Sequence, residues 1–212
     1  MATAKICGLS TPETVAAALE GGATHLGFML FENSPRNVSA EAAERLAAPV
    51  RGRAKVVAVA VDPDDALVDR IARVLTPDLI QLHGAETPSR AAAVAARSGA
   101  EVIKVLSVSE AADLDPAAGY EGAVAHLMFD TKAPAGADRP GGHGAAFDWS
   151  LLTGRKFARP WFLAGGLDPW NVGEAVRLSG APMVDVSSGV ERGAGVKDPA
   201  LISAFLRAVG RA

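Results

Sequence analysis

The sequence is poor in cysteine, in basic charge and in long apolar runs, and each shortage excludes a class of protein. One cysteine among 212 residues cannot form an internal disulfide, and the four scattered histidines include no pair with the spacing of a metal site. The formal net charge of −3 argues against a nucleic-acid partner, since such proteins need a basic face to displace counterions from phosphates. We therefore predict no metal ion and no nucleic-acid partner.

Membrane segments are also lacking from the sequence. No apolar run approaches the ~20 residues of a membrane-spanning helix, and Val56–Val61 is a representative run. The amino terminus enters a strand pattern without the apolar region of a signal peptide, so we expect a cytoplasmic protein with no membrane contact. Hydrophobic residues make up 49% of the chain, which is ample for a buried core.

What the chain does contain is a regular alternation of two kinds of segment. Eight short apolar runs are separated mostly by stretches rich in alanine and leucine, and runs such as Val56–Val61 suit parallel strands covered on both faces. The predicted strands are Ala4–Cys7, His25–Leu30, Lys55–Val61, Leu79–Leu82, Glu101–Leu106, Val124–Phe129, Trp161–Leu163 and Met183–Val186. Helix-start signals occur at Thr11–Glu13, Ser39–Glu41, Asp62–Asp64, Thr87–Pro88, Asp168–Pro169 and Asp198–Pro199.

Eight such units predict one (β/α)8 TIM barrel over residues 1–212. The main alternative is a doubly wound open sheet, which shows the same alternation of strand and helix. That fold requires a G-x-G-x-x-G turn after the first strand, whereas Gly8–Thr11 stands there. The barrel is therefore favoured, with a short or irregular fifth helix, because Pro116 and Gly119 interrupt the segment Ser109–Tyr120.

Residues that follow the strands of a barrel share one mouth, where the chemistry of this fold takes place. A lone cysteine is more often a small buried hydrophobe than a reactive group, so Cys7 is informative only through its neighbours at that mouth. Those neighbours are Glu32–Arg36, His83, Gly84, Asp130–Lys132, Gly165, Gly166 and Ser187–Gly189.

Seven short motifs lie at predicted strand ends or in the loops nearby, in order and nearly from end to end. They are Lys5–Gly8, Gly27-Phe28 leading to Ser34–Arg36, Gln81–Gly84, Phe129–Thr131, Phe147–Trp149, Leu163–Leu167 and Val184–Glu191. In this combination the sequence resembles the phosphoribosylanthranilate isomerase family. The resemblance implies an Amadori rearrangement in tryptophan biosynthesis that needs no cofactor. The implied substrate is N-(5-phosphoribosyl)anthranilate, and the implied product is the carboxyphenylamino-deoxyribulose phosphate.

The resemblance also assigns Cys7 as general base and Asp130 as general acid. Opening the ribose ring needs a proton on the ring oxygen, and forming the enolamine needs removal of the C2 proton. A thiol with an ordinary pKa of about 8.5 is mostly protonated at neutral pH, so the site has to favour the thiolate. Lys5 faces the same side of its strand and could supply a cation, or it could merely pair with a carboxylate. Asp130 has to retain its proton instead.

The other groups of the implied substrate also have candidate partners. The guanidinium of Arg36 matches the geometry of the anthranilate carboxylate. His83 and Asp185 are expected to contact the ribose hydroxyls or to order the loops. Backbone N–H groups after strands seven and eight, together with a helix opening at Asp168–Pro169, suit the phosphate. The residues predicted to bind it are Gly165, Gly166, Ser187, Ser188 and Gly189.

The glycine-rich loop Pro140–Gly144 predicts a lid over the substrate. Family members often carry Thr or Ser where His143 stands, which leaves the role of this side chain open. The sequence also leaves open whether the protein is a monomer or a homodimer, and whether it accepts a histidine-pathway aminoaldose.

Two other functions are weighed against the isomerase. A Schiff-base aldolase of the same fold would use Lys104 or Lys132 as its nucleophile. A non-catalytic module that binds a sugar phosphate is disfavoured, because both predicted catalytic residues are present. The isomerase is favoured on the whole set of strand-end residues rather than on fold alone.

Overall fold

The computed structural model describes residues 2–133, 136, 141 and 146–212, and its centre is a closed barrel of eight parallel strands. Each strand pairs with the next along the chain, and the eighth pairs with the first, so that Lys5 lies opposite Asp185. The strands are β1 (Thr3–Cys7), β2 (His25–Met29), β3 (Lys55–Ala60), β4 (Leu79–Leu82), β5 (Glu101–Val108), β6 (His126–Thr131), β7 (Trp161–Leu163) and β8 (Met183–Val186). This architecture confirms the predicted (β/α)8 fold.

Seven α-helices accompany the barrel within the described ranges. They are α1 (Pro12–Glu20), α2 (Ala40–Ala47), α3 (Asp65–Arg70), α4 (Pro88–Ser98), α5 (Ala117–Tyr120), α6 (Val172–Ser179) and α7 (Pro199–Val209). A π-helical turn, Ile71–Leu75, continues α3, and short 3₁₀ helices lie at Ala111–Leu114, Trp149–Leu152 and Ser188–Val190. A small hairpin of β9 (Glu191–Gly193) and β10 (Val196–Lys197) follows β8. None of the described helices is long and apolar enough to cross a membrane.

Most of the helices begin at the predicted signals. Side-chain oxygens that accept backbone N–H groups cap α1, α2, α3, α4 and α7, and they belong to Thr11, Ser39, Asp64, Thr87 and Asp198. The prediction for α6 is wrong, because this helix begins at Val172 rather than at Asp168–Pro169. The carboxylate of Asp168 accepts the N–H groups of Trp170 and Asn171, which forms a separate turn before the helix.

The irregular fifth connection is confirmed. After β5 the chain forms the 3₁₀ turn Ala111–Leu114 and then α5, which has 4 residues. Pro116 lies directly before α5 and has no N–H to donate, and Gly119 is a poor helix former. The local sequence therefore explains why this connection does not form a full-length helix.

β5 and β6 extend further toward the mouth than their apolar runs predict. In register, Ser107 lies opposite Asp130, and Val108 lies opposite Thr131. The prediction ended the sixth strand at Phe129, because the polar pair that follows breaks the apolar run. Backbone pairing between the two strand ends continues regardless of side-chain polarity. Asp130 is therefore held within the sheet rather than in a loop.

Apolar side chains pack on both sides of the barrel wall. One cluster lies inside the barrel and includes Val59, Ile103, Met128 and Phe162, with Cys7 at its margin. Residues on the other face of the strands pack with the helices in a second, larger cluster. The strands are thus covered on both faces, as expected for parallel strands.

Two histidines at the amino-terminal ends of β2 and β6 lie at the bottom of the barrel. The ring of His25 is 5.2 Å from that of Phe162 and 6.4 Å from that of His126, measured between centroids. Burial, with the Lys5 ammonium adding to it, lowers the pKa of His25 to about 4. Burial also lowers the pKa of His126. Both imidazoles are therefore neutral at pH 7 and serve as packing groups.

Acidification is expected to destabilise the protein through His25. In the unfolded chain this group binds a proton near pH 6.5, whereas the folded site resists protonation until about pH 4, so the free energy of unfolding falls as the pH drops through that window. The shift corresponds to at most about 3 kcal/mol. Urea titrations at pH 7 and pH 4.5 measure the loss, which is expected to be smaller in the His25→Leu variant. An equal loss in the two proteins would contradict the assignment.

Candidate active site

A cavity opens at the carboxyl-terminal mouth of the barrel. Six of the ten predicted site residues line it: Cys7, Arg36, His83, Asp130, Asp185 and Ser187. The lining also contains Gly141 from the predicted lid, and five residues to which the sequence assigned no role, namely Met29, Phe31, Ser34, Val61 and Gln81. The cavity therefore unites side chains that are far apart along the chain, and it combines apolar walls with a few polar groups.

Cys7 is the last residue of β1 and is buried at the cavity wall. An ideal Cβ built on Gly27, its partner in β2, would lie 3.2 Å from the Cys7 Sγ and 3.1 Å from the Lys5 Nζ. The thiol and the ammonium thus border the same small space, which a side chain at position 27 would fill. Burial raises the pKa of the Cys7 thiol; the Lys5 ammonium opposes this rise and the Asp185 carboxylate adds to it.

Lys5 is fully buried and donates a hydrogen bond to the Asp185 Oδ1 at 2.8 Å. Burial alone would lower the pKa of Lys5, but the Asp185 carboxylate and the Cys7 thiol outweigh it, so the pKa is raised. Both interpretations of Lys5 therefore find support in the geometry. It pairs with a carboxylate directly across the strand register, and it also remains a cation beside Cys7.

Asp130 faces His83 at the mouth. The Asp130 Oδ2 lies 3.2 Å from the His83 Nε2, although the two are not aligned as a hydrogen bond, and the Oδ1 accepts the N–H of Thr131 at 2.8 Å. A Cβ on Gly141 would lie 2.8 Å from the Asp130 Oδ2 and 2.9 Å from the His83 Cε1. The backbone at Gly141 therefore packs directly on this pair. Of the predicted lid Pro140–Gly144, only Gly141 is among the described residues, and His143 lies outside them.

Arg36 is held by a carboxylate from the other end of the chain. Its Nε and Nη2 donate to the two oxygens of Glu191 at 2.7 and 2.9 Å, and its Nη1 donates no hydrogen bond to the described part of the chain. A Cβ on Gly8, which has a φ of +76°, would lie 2.6 Å from the Arg36 Cδ, so only glycine allows the arginine to pack there. The Arg36 guanidinium, which is predicted from the sequence to bind a substrate carboxylate, is therefore already bound in part by Glu191.

Lys197 completes this network from β10. Its buried Nζ donates to the Glu191 Oε1 at 2.5 Å, and to the carbonyl and hydroxyl oxygens of Ser187 at 3.0 and 3.1 Å. The Ser187 Oγ in turn donates to the Cys7 carbonyl at 3.2 Å. Burial lowers the pKa of Lys197, although the nearby Glu191 carboxylate opposes this. Lys197 and Glu191 thus connect Arg36 with the Ser187 turn, and the sequence assigned neither of them a role.

The two lysines proposed for a Schiff-base aldolase have other environments. Lys104 is buried, and its Nζ donates to the Glu86 Oε2 and to the Gly84 carbonyl at 2.7 Å each. Glu86 accepts the N–H of Gly84 as well, so this ion pair holds the turn directly after His83. Lys132 is largely exposed, and neither lysine is among the residues that line the cavity. Neither lysine considered for the aldolase alternative therefore lies where it could act as a nucleophile in this cavity.

The residues predicted to bind phosphate lie beside the cavity rather than in its lining, with the exception of Ser187. Gly165 and Gly166 have φ values of +87° and +63°, and their N–H groups have no acceptor among the described residues. A Cβ on Gly165 would lie 2.2 Å from the Thr131 Oγ1, and one on Gly189 would lie 1.9 Å from the Leu167 carbonyl oxygen. The loops after β6, β7 and β8 therefore pack together closely, and only glycine fits at these two contacts.

Comparison with known proteins decides which family this barrel represents. A family model described as N-(5'phosphoribosyl)anthranilate (PRA) isomerase matches residues 4–208. The chain belongs to this family. A relative named N-(5'-phosphoribosyl)anthranilate isomerase, from Caulobacter vibrioides, is 65% identical over 210 residues, which cover 99% of this chain and 96% of the relative. The family predicted from the seven motifs, and with it the enzyme class, is confirmed.

Two solved structures of phosphoribosylanthranilate isomerases extend the match to three dimensions. The enzyme from Thermotoga maritima is 34% identical, with a TM-score of 0.89 and full coverage of both chains. A second isomerase structure, in complex with reduced 1-(o-carboxyphenylamino)-1-deoxyribulose 5-phosphate, is 31% identical with a TM-score of 0.86, also over the whole of both chains. The barrel of this chain is thus the family's barrel from end to end.

Proposed function

We propose that this protein converts N-(5'-phosphoribosyl)anthranilate to 1-(o-carboxyphenylamino)-1-deoxyribulose 5-phosphate, an Amadori rearrangement in tryptophan biosynthesis. Cys7 acts as general base and Asp130 as general acid. The observation that carries the proposal is that these two side chains line one cavity from β1 and β6, strands that do not neighbour each other in the barrel. The family's complex with the reduced product supports the substrate class.

The rearrangement needs one proton delivered and one removed. Asp130 donates a proton to the ribose ring oxygen as the C1–O bond breaks, and the lone pair of the nitrogen forms a protonated imine at C1. The Cys7 thiolate then removes the proton from C2, and the electron pair of that C–H bond neutralises the imine to give the enolamine. Ketonisation moves a proton from the C2 hydroxyl to C1. Atoms and electrons balance without a cofactor.

The anionic ends of the substrate are assigned to two other parts of the mouth. Arg36 binds the anthranilate carboxylate through its Nη1, while Glu191 and Lys197 hold the guanidinium in place. The amides of Gly165 and Gly166, together with the turn Ser188–Gly189, bind the phosphate. His83 and Asp185 contact the ribose or order the residues that do. In this arrangement the sugar carbons lie between Cys7 and Asp130, where the proton transfers occur.

A complementation experiment tests the substrate assignment. The wild-type chain is expected to restore growth without tryptophan to a strain that lacks this isomerase, because no other step of the pathway is missing from such a strain. The Cys7→Ala variant, expressed at the same level, is expected to fail. If the wild-type chain itself does not restore growth, the proposed substrate is wrong.

A further inference from the structure

Gln81 is a buried polar residue of the cavity that the proposed reaction does not use. It lies in β4, two residues before His83, and its exposed fraction is only 1%. It lines the cavity together with Cys7, His83 and Asp130. Its Oε1 is buried and has no hydrogen-bond partner among the residues that the structure describes.

The neighbours of Gln81 explain why the amide oxygen stays without a partner. In the strand register it lies between Val59 of β3 and Ile103 of β5, both fully buried apolar residues. The interior cluster that contains them is apolar as well. An apolar residue of similar length would fill this layer without burying any polar atom. A buried amide oxygen without a donor destabilises the fold. The glutamine is therefore unfavourable for packing at this position.

We propose that Gln81 is a substrate-binding residue whose side-chain amide accepts a hydrogen bond from a hydroxyl group of the ribose. This inference rests on the proposed function. The atom without a partner is an acceptor, so its partner in the complex has to be a donor. The phosphate and the carboxylate of the substrate are acceptors when ionised, and the anthranilate N–H has the ortho carboxylate of its own ring as an internal acceptor. The sugar hydroxyls remain as donors close to the reacting carbons.

The position of Gln81 fits this role. His83 directly follows β4, and its N–H donates to the carbonyl of Ala60, the last residue of β3. Gln81 and His83 both line the cavity, as expected for side chains two residues apart on extended backbone. His83 in turn lies against Asp130, the proposed acid. A ribose bound between Cys7 and Asp130 would therefore contact the amide of Gln81, which lies on the side of the cavity toward the barrel interior. Gln81 selects a hydroxylated sugar at this depth over an apolar group.

The Gln81→Met variant tests the inference, because methionine has a similar length and flexibility but no amide. Its kcat/KM is expected to fall by about tenfold, the usual value of one neutral hydrogen bond. Its thermal unfolding midpoint without substrate is expected to equal or exceed that of the wild type. Loss of a binding contact with no loss of stability is a result that a purely structural glutamine would not give.

A matched control is the His126→Leu variant. The Nδ1 of His126 is also buried without a partner in the described structure, but this residue begins β6 at the opposite end of the barrel. Its kcat/KM is expected to stay within about twofold of the wild type. A second cavity variant, Gln81→Leu, covers the case in which methionine packs badly.

The outcomes separate this inference from the proposed function. If the wild type is active and both Gln81 variants keep kcat/KM within about twofold, the substrate contact is wrong while the isomerase assignment stands. If both variants lose stability in proportion to activity, Gln81 is a structural residue and the inference is also wrong. A wild type with no isomerase activity would overturn the proposed function itself, and the inference with it.

Discussion

Replacing Asp130 by Asn is expected to lower kcat by about two to four orders of magnitude while the fold stays intact. The amide has nearly the shape of the carboxyl group, and its oxygen can still accept the N–H of Thr131, as the Oδ1 of Asp130 does at 2.8 Å. It cannot deliver a proton to the ribose ring oxygen. Steady-state rates measured with purified protein, together with a thermal unfolding midpoint, check both halves of the expectation.

The control for this variant is the same chemical change outside the cavity. Asp148 is exposed and caps the 3₁₀ helix Trp149–Leu152, and asparagine serves equally well as a cap. Asp148→Asn is therefore expected to keep normal turnover. Near-normal turnover of Asp130→Asn would reject Asp130 as the acid, whereas loss of activity in both variants would point to a general effect of the substitution.

The fold could be predicted from the sequence because its determinants are local. Each strand is a short apolar run, and most helices begin at a capping residue followed by a good helix former. The predicted element boundaries are wrong where polar residues continue a strand or form a turn before a helix. Asp130 and Thr131 continue β6 although they end its apolar run, and Asp168 forms a turn of its own instead of starting α6.

The site could be predicted only in part, for a different reason. Residues at strand ends meet at the mouth in any barrel, and this rule brings Cys7 and Asp130 together. Which charged groups pair with each other depends on which loops are in contact in the folded protein. Arg36 pairs with Glu191 across 155 positions of the chain, and no periodicity or spacing indicates such a pair. The sequence also contains no signal for the role of Lys197 in this network.

The ion pairs explain what the sequence left undecided about Lys5. Its two interpretations, as partner of a carboxylate and as cation for the thiol, are not exclusive, because Asp185 lies opposite Lys5 in the register while Cys7 follows two residues later. Gly27 leaves the space in which the ammonium and the thiol approach each other. Only the closed barrel, with β8 next to β1, brings these three residues to one place.

Cys7→Ala is expected to lower kcat/KM by about two to four orders of magnitude, because alanine cannot remove the C2 proton. The pH profile of the Asp130→Asn variant, in which the acid no longer titrates, gives a second and independent check. Burial raises the pKa of the Cys7 thiol above its ordinary value, so the thiolate is a minor species at neutral pH. If the thiolate is the base, the residual kcat/KM of Asp130→Asn rises as the pH increases from 7 to 9. A flat profile of that variant, or a Cys7→Ala variant within tenfold of the wild type, would contradict the assignment.

Thiol titration then determines whether Lys5 limits the rise in the pKa of Cys7. In the Lys5→Met variant the cation is gone while the Asp185 carboxylate stays, so the pKa of Cys7 is expected to rise above that of the wild type. In the double variant Lys5→Met/Asp185→Asn both opposing charges are removed, and the pKa is expected to fall between the other two. This variant also avoids leaving a buried carboxylate unpaired, which protects the fold. An unchanged Cys7 pKa in both variants would show that Lys5 serves the barrel only as the partner of Asp185.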